Sequence, residues 1–212
     1  MNQPTYTYLA LGDSYTIGEG LPETENFPHQ AVALLQARGY AFSGPEVLAR
    51  TGWTTSELAA AMASHRFNPP YDWVTLLIGV NNQYRGESLD DYRREFAELL
   101  DSAVRLAGSR TDHVLVLSIP DWGVTPFARD RHPEIIAVEI DGFNRVNREL
   151  AARRGVTYLD ITQASRLAGA RPGMLAPDNL HPSGRQYGQW AAGVADAMAR
   201  VLPHKTVAGP GG

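Results

Sequence analysis

Tyr8-Leu-Ala-Leu-Gly-Asp-Ser-Tyr-Thr-Ile-Gly-Glu-Gly20 is the stretch from which the fold is best read. The apolar run over 6–11 predicts a buried strand, which stops at Gly12. Asp13 and Ser14 follow at the carboxyl end of this strand, where their side chains can hydrogen-bond to the backbone of a turn. Taken alone, Gly-Asp-Ser is more often a plain turn than a catalytic element. A nucleophilic serine needs a base and an oxyanion hole from elsewhere in the chain.

The composition indicates a globular protein. The chain has 212 residues, 43% of them hydrophobic and 20% charged, which predicts one domain over 1–203 with a sizeable core. The net charge is −4 and the Lys and Arg residues are scattered, which argues against nucleic-acid binding. Cysteine is absent, so disulfides and thiolate metal sites are excluded. No signal peptide or membrane-length apolar run is seen, so we expect a cytoplasmic protein, and residues 204–212 are expected to be a disordered tail.

Strand and helix patterns alternate along the chain. Strands are predicted over 6–11, 46–50, 72–78, 113–119 and 156–160. Helices are predicted over 27–38, 54–65, 88–106, 133–154 and 183–201, with an irregular stretch before residue 177. This alternation predicts a three-layer α/β/α sandwich around a five-stranded parallel sheet.

Right-handed crossovers bring the loops after the strands to one edge of such a sheet, where ligands bind. Ser14, Gly52, Asn81 and the Asp178–His181 loop are therefore expected to lie together. His181 is the candidate base for Ser14, and Asp178 can orient its imidazole. The N–H groups of Ser14 and Gly52 and the amide of Asn81 can serve as oxyanion donors.

These residues resemble the sequence blocks of the SGNH hydrolases, also called the GDSL esterase/lipase family. Gly12-Asp13-Ser14 matches the first block, Gly52 the second, Gly79-Val80-Asn81 the third and Asp178-Asn179-Leu180-His181 the last. The resemblance runs from the first strand to the last helix. Tyr15 stands where the family has leucine, and Asn82 stands where many members have aspartate.

The resemblance implies a flavodoxin-like SGNH hydrolase fold and a cofactor-free serine esterase that needs no metal. It implies that Ser14 is the nucleophile, His181 the base and Asp178 its partner, with Ser14, Gly52 and Asn81 as the oxyanion hole. We expect a small ester substrate, such as an acetylated sugar, a short acyl ester, a lysophospholipid or a thioester, with transfer to an alcohol left open. The rim residues that can line its pocket are Trp53, Tyr84, Arg85, Trp122 and Phe127.

Two other functions remain open at this stage. The segment 14–18 could wrap a phosphate in a flavodoxin-like, FMN-binding protein, which would leave Asp178 and His181 without a task. A metal-dependent phosphodiesterase could use Asp13, Asp178 and His181. A dinucleotide enzyme is disfavoured, because Gly12, Gly18 and Gly20 lack the Gly-x-Gly-x-x-Gly spacing.

Overall fold

The computed structural model describes residues 5–169 and 171–203. The tail predicted to be disordered, 204–212, lies outside the described residues. Five strands form one parallel sheet: β1 (Tyr8–Asp13), β2 (Glu46–Arg50), β3 (Trp73–Leu77), β4 (Val114–Leu117) and β5 (Thr157–Leu159). Their order across the sheet is β2-β1-β3-β4-β5.

Burial follows position in the sheet. The central strands β1, β3 and β4 are buried along their whole length, whereas the edge strands β2 and β5 are half-buried. A strand covered on both faces needs a nearly continuous apolar run, and 73–77 and 114–117 supply one. The predicted five-stranded parallel sheet is therefore confirmed, with the first strand beginning and ending two residues later than predicted.

Eight α-helices are found in the described residues, most of them between successive strands. Their bounds are α1 (Ser14–Ile17), α2 (Phe27–Ala37), α3 (Thr55–Ser64), α4 (Val80–Tyr84), α5 (Leu89–Leu106), α6 (Pro133–Arg154), α7 (Thr162–Ala168) and α8 (Gly184–Val201). Strand β2 lies on one side of β1, and β3, β4 and β5 follow in order on the other side. Right-handed crossovers then place α2 on one face of the sheet and α3, α5 and α6 on the other. Accordingly, α2 packs on α8, and α5 packs on α3 and α6.

The helix starts follow local sequence signals. Thr54 caps α3 through a capping box with Glu57, as predicted. Asn26, Ser88 and Ser183 each accept a backbone N–H at the starts of α2, α5 and α8. None of the helices in the described residues combines the length and apolar character that a membrane span requires.

Three short helices were not predicted, and one of them is α4, which begins three residues after the end of β3. α7 occupies part of the stretch predicted to be irregular, and α1 follows β1 without a loop. Helices of this length gain little from intrinsic propensity and depend on tertiary contacts. In α7 these contacts come from Ser118, whose Oγ accepts the N–H of Thr162 at 3.0 Å.

Candidate active site

Ser14 is held at the carboxyl end of β1 as the first residue of α1. Asp13 caps this helix, since its Oδ1 accepts the N–H of Tyr15 at 3.0 Å. Gly12 is required by close packing, because a Cβ there would lie 2.5 Å from the carbonyl oxygen of Leu77. The Ser14 side chain is therefore fixed between a capped turn and the next strand, and the residue is only 5% exposed.

His181 reaches Ser14 from a loop just before α8. The Nε2 atom of His181 lies 2.9 Å from Ser14 Oγ, and its Nδ1 atom lies 2.5 Å from Asp178 Oδ2. An ionised carboxylate only accepts hydrogen bonds, so Nδ1 carries the proton and Nε2 is left to accept the serine proton. His181 is 6% exposed, which keeps bulk water from competing for its ring.

The Asp178 side chain also holds its own loop in place, through hydrogen bonds to the backbone. Asp178 Oδ1 accepts the N–H groups of Leu180 and His181 at 2.9 and 3.0 Å, and Asn179 takes a left-handed φ of 59°. Burial by itself raises the pKa of Asp178, but the hydrogen bonds from His181 and these two N–H groups outweigh it and lower the pKa below 3.8. Asp178 is therefore ionised at neutral pH and can pair with a protonated His181.

The loop that contains Gly52 and the helix α4 each bring an amide donor close to Ser14. Gly52 lies between β2 and α3 with φ +83°, and its N–H has no acceptor within residues 5–169 and 171–203. Asn81 lies on α4, and its Nδ2 donates to the carbonyl of Trp53 at 2.9 Å. A second contact of this amide, to Asp13 Oδ2, is long at 3.5 Å. The N–H of Gly52 and one Asn81 hydrogen are thus free, or nearly free, to meet an anion.

Asp13 is buried directly behind Ser14. Burial raises its pKa to about 7, although the N–H of Tyr15 acts in the opposite direction. The carboxyl group has no cationic partner among its hydrogen bonds in the described residues. It does not join Asp178 and His181, and no group of three or more His, Asp or Glu side chains in the described part of the chain is arranged as a metal site.

A cavity of about 190 Å³ opens over Ser14. It is lined by Ser14, Tyr15, Thr51, Gly52, Val80, Asn81, Tyr84, Trp122, Phe127, Leu180 and His181. None of these is an Asp, Glu, Lys or Arg. Trp122 is fixed in this wall because its Nε1–H donates to Gln83 Oε1 at 2.7 Å. The rings of Tyr84 and Phe127 each contact Trp122 edge-on, and both residues are about half exposed.

The structure brings most of the predicted site residues together. Ser14, Gly52, Asn81 and His181 line one cavity, and Asp178 contacts His181 behind it. Of the residues predicted to line the pocket, Trp53 and Arg85 do not belong to the cavity wall formed by the described residues. Arg85 instead donates to the carbonyl of Gly52 at 2.6 Å, because α4 carries its side chain over that loop.

Sequence reasoning missed several cavity residues. Tyr15 lies with its ring 4.8 Å from the imidazole of His181, and Leu180 lies beside it. Both are direct neighbours of predicted triad members, which is the signal that could have identified them. Thr51 and Val80 likewise adjoin Gly52 and Asn81 in sequence.

A serine, a histidine and an aspartate hydrogen-bonded in series, at the sheet edge and beside free amide donors, are the arrangement of a serine-dependent hydrolase. Comparison with known families agrees. The model of the GDSL-like lipase/acylhydrolase family matches residues 10–189. The chain belongs to this family, and the protein is a carboxylic ester hydrolase of the SGNH/GDSL type, as its sequence blocks predicted.

Solved structures show the same fold. A structure of TesA superposes with a TM-score of 0.73 at 20% identity, covering 92% of this chain and 99% of that one. The lipase/acylhydrolase from Enterococcus faecalis gives 0.71 at 19% identity, covering 95% and 100%. Axe2, an acetylxylan esterase from Geobacillus stearothermophilus, gives 0.69 at 20% identity, covering 91% and 94%. No sequence among the curated proteins shows a significant match.

Proposed function

We propose that the protein hydrolyses short, uncharged acyl esters through an acyl-enzyme on Ser14. The observation that carries the proposal is the Asp178–His181–Ser14 hydrogen-bond series, with distances of 2.5 and 2.9 Å. Ser14 Oγ attacks the ester carbonyl carbon while its proton passes to His181 Nε2. The carbonyl electrons move to the oxygen, which becomes an anion facing the N–H groups of Ser14 and Gly52 and the amide of Asn81.

Collapse of this tetrahedral intermediate breaks the bond to the leaving alcohol. The imidazolium of His181 gives its proton to the departing oxygen, which leaves as a neutral alcohol. Water then enters, loses a proton to His181 Nε2 and attacks the acyl carbon. The second tetrahedral intermediate releases the carboxylic acid and returns the proton to Ser14. Asp178 stabilises the imidazolium in both halves without itself taking the proton.

The cavity supports a small acyl group. A water molecule occupies about 30 Å³ in the liquid, so the cavity of about 190 Å³ has the volume of roughly six water molecules. The lining is mainly aromatic and aliphatic, and it offers no charged group to pair with an ionic acyl chain. These features favour an acetyl or other short acyl ester over a lysophospholipid. The acetylxylan specificity in the name of Axe2 is consistent with this size.

Activity on p-nitrophenyl esters from acetate to dodecanoate tests the proposal. Ser14→Ala should stay folded and lose about three or more orders of magnitude in kcat/KM, with the native enzyme preferring the shortest chains. Ser64→Ala is a matched control, because Ser64 is exposed and hydrogen-bonds only within α3. Retention of the rate by Ser14→Ala would overturn the nucleophile, and activity that is lost with a chelator would favour a metal-dependent reaction instead.

A further inference from the structure

The Gly52 loop and α4, which carry the two free amide donors, are joined by hydrogen bonds. Asn81 Nδ2 donates to the carbonyl of Trp53, and Arg85 Nη2 donates to the carbonyl of Gly52. A third connection runs from Asn82 to Thr55, the first residue of α3. Of the three side chains only that of Asn82 belongs to a fully buried residue, with 0% exposure, so its hydrogen bonds are shielded from water.

The hydrogen bonds of Asn82 fix its amide in one orientation. Its Oδ1 accepts the N–H of Thr55 at 3.1 Å, and its Nδ2 donates to Thr55 Oγ1 and to Glu87 Oε2, both at 2.7 Å. The carboxylate of Glu87 only accepts, so it must face the amide nitrogen. Thr55 Oγ1 accepts a hydrogen bond from Asn82, and its hydroxyl donates one to Glu95 Oε2 at 2.5 Å. The hydrogen bonds therefore run in one direction, from Asn82 through Thr55 to Glu95, and both hydrogens of the Asn82 amide are donated.

We propose that Asn82 is a positioning residue that sets the distance between the Gly52 and Asn81 donors. This inference rests on the proposed function, in which both groups stabilise the oxyanion. Asn82 does not line the cavity and acts only through its neighbours. It is adjacent to Asn81 in sequence and hydrogen-bonded to α3, the helix that follows Gly52. Asn82 therefore connects α4 to the Gly52 loop. A displacement of about 1 Å between catalytic groups can cost about a hundredfold in rate.

The structure specifies an amide at position 82. An aspartate there would keep the bond from the Thr55 N–H but would bring a second carboxylate against Glu87. It would also compete with Glu95 for the single hydroxyl proton of Thr55. The repulsion should separate α4 from the start of α3. Replacing Glu87 by glutamine at the same time supplies a new amide donor to the introduced carboxylate and removes the repulsion.

The test compares N82D, E87Q and N82D/E87Q with the native enzyme on a short p-nitrophenyl ester. N82D should lower kcat by about tenfold to a hundredfold, because oxyanion donors act mainly in the transition state. KM should stay within about twofold, because ground-state binding is little changed. The double variant should recover most of the lost kcat. A folded N82D with native kcat, or no recovery in N82D/E87Q, would overturn the inference.

N144D is the matched control for a general loss of packing. Asn144 is also buried, and its amide bridges Ile119 and Thr162 through three hydrogen bonds of 2.8–3.1 Å, away from the cavity. It should lower the melting temperature while kcat of the folded protein stays within about twofold. An equal loss of kcat in N144D and N82D would mean that Asn82 has only a structural role.

Two further variants keep the outcome decisive. If N82D does not fold, Thr55→Val removes only the hydroxyl link and should still lower kcat severalfold, and native kcat in that variant overturns the inference. Ser14→Ala, assayed in the same series, reports separately on the proposed function. Its retention of activity would refute the nucleophile, whereas an inactive Ser14→Ala beside a fully active N82D refutes only the role of Asn82.

Discussion

Replacing Asp13 by asparagine should change how the stability of the protein depends on pH. Asp13 is fully buried behind Ser14, and burial raises its pKa from 3.8 to about 7. The folded protein therefore holds this proton at pH values where the unfolded chain has released it. The free energy of unfolding contributed by Asp13 is then fully present below pH 3.8 and is lost as the pH rises to about 7.

The size of the effect follows from the two pKa values. At about 1.4 kcal/mol per pKa unit, the difference between 3.8 and about 7 corresponds to about 4 kcal/mol of unfolding free energy. Asparagine keeps the cap, because its Oδ1 can accept the N–H of Tyr15, but it does not titrate. The stability of D13N relative to the native protein should therefore increase by about 4 kcal/mol between acid and alkaline pH.

Urea denaturation followed by tryptophan fluorescence at pH 5, 7 and 9 measures the part of this difference that lies above pH 5, which is about 3 kcal/mol. Asp178 contributes with the opposite sign, since its lowered pKa means that its stabilisation is lost as the pH falls, but it is present in both proteins and cancels. Asp112→Asn, at an exposed position, controls for the loss of one acidic group. If the stabilities of D13N and the native protein run parallel across this range, burial does not raise the pKa of Asp13.

Three substitutions in the site have separate expected outcomes. Asp178→Asn should lower kcat/KM by about 10²–10⁴-fold, measured on a p-nitrophenyl ester, because the amide no longer holds Nδ1 of His181 as the donor. Gly52→Ala should cost about 1–2 kcal/mol in urea denaturation and roughly tenfold in kcat, because its φ of +83° is left-handed. Trp122→Ala should move the preferred ester to a longer acyl chain, in the same ester series, because it enlarges the cavity.

Each of these outcomes has a result that contradicts it. A D178N enzyme that keeps more than a tenth of the native rate would remove Asp178 from the triad. Gly44→Ala is the control for Gly52, since Gly44 has room for a Cβ and no left-handed φ, and equal losses in the two variants would show that φ is not the cause. An unchanged chain-length preference in W122A would show that Trp122 does not limit the acyl group.

The fold could be predicted because its signals are local and repeated. Strand β2 was placed at its observed bounds, and α3 begins with the predicted capping box. The topology then placed Ser14, Gly52, Asn81 and His181 at one edge of the sheet without any knowledge of side-chain positions.

What could not be predicted depends on contacts between distant segments. α7 is held in part by the Ser118 hydroxyl, which comes from the end of another strand. Arg85 was expected at the pocket, but the approach of α4 to the Gly52 loop directs its guanidinium to a backbone carbonyl. The same approach buries Asn82, whose role in the fold has no signature in sequence. Residue type predicted which chemistry was available, and packing decided which group faces the cavity.

The two side chains that meet at 2.9 Å in the site are 167 positions apart in the chain. A ribosome adds about 5–20 residues per second, so roughly 10–30 s separate the synthesis of Ser14 from that of His181. The last helix, α8, follows the His181 loop and packs on α2. During this interval the nascent chain carries its proposed nucleophile without a base. Under the proposed mechanism, ester hydrolysis through Ser14 therefore cannot begin until the chain has been synthesised past residue 181.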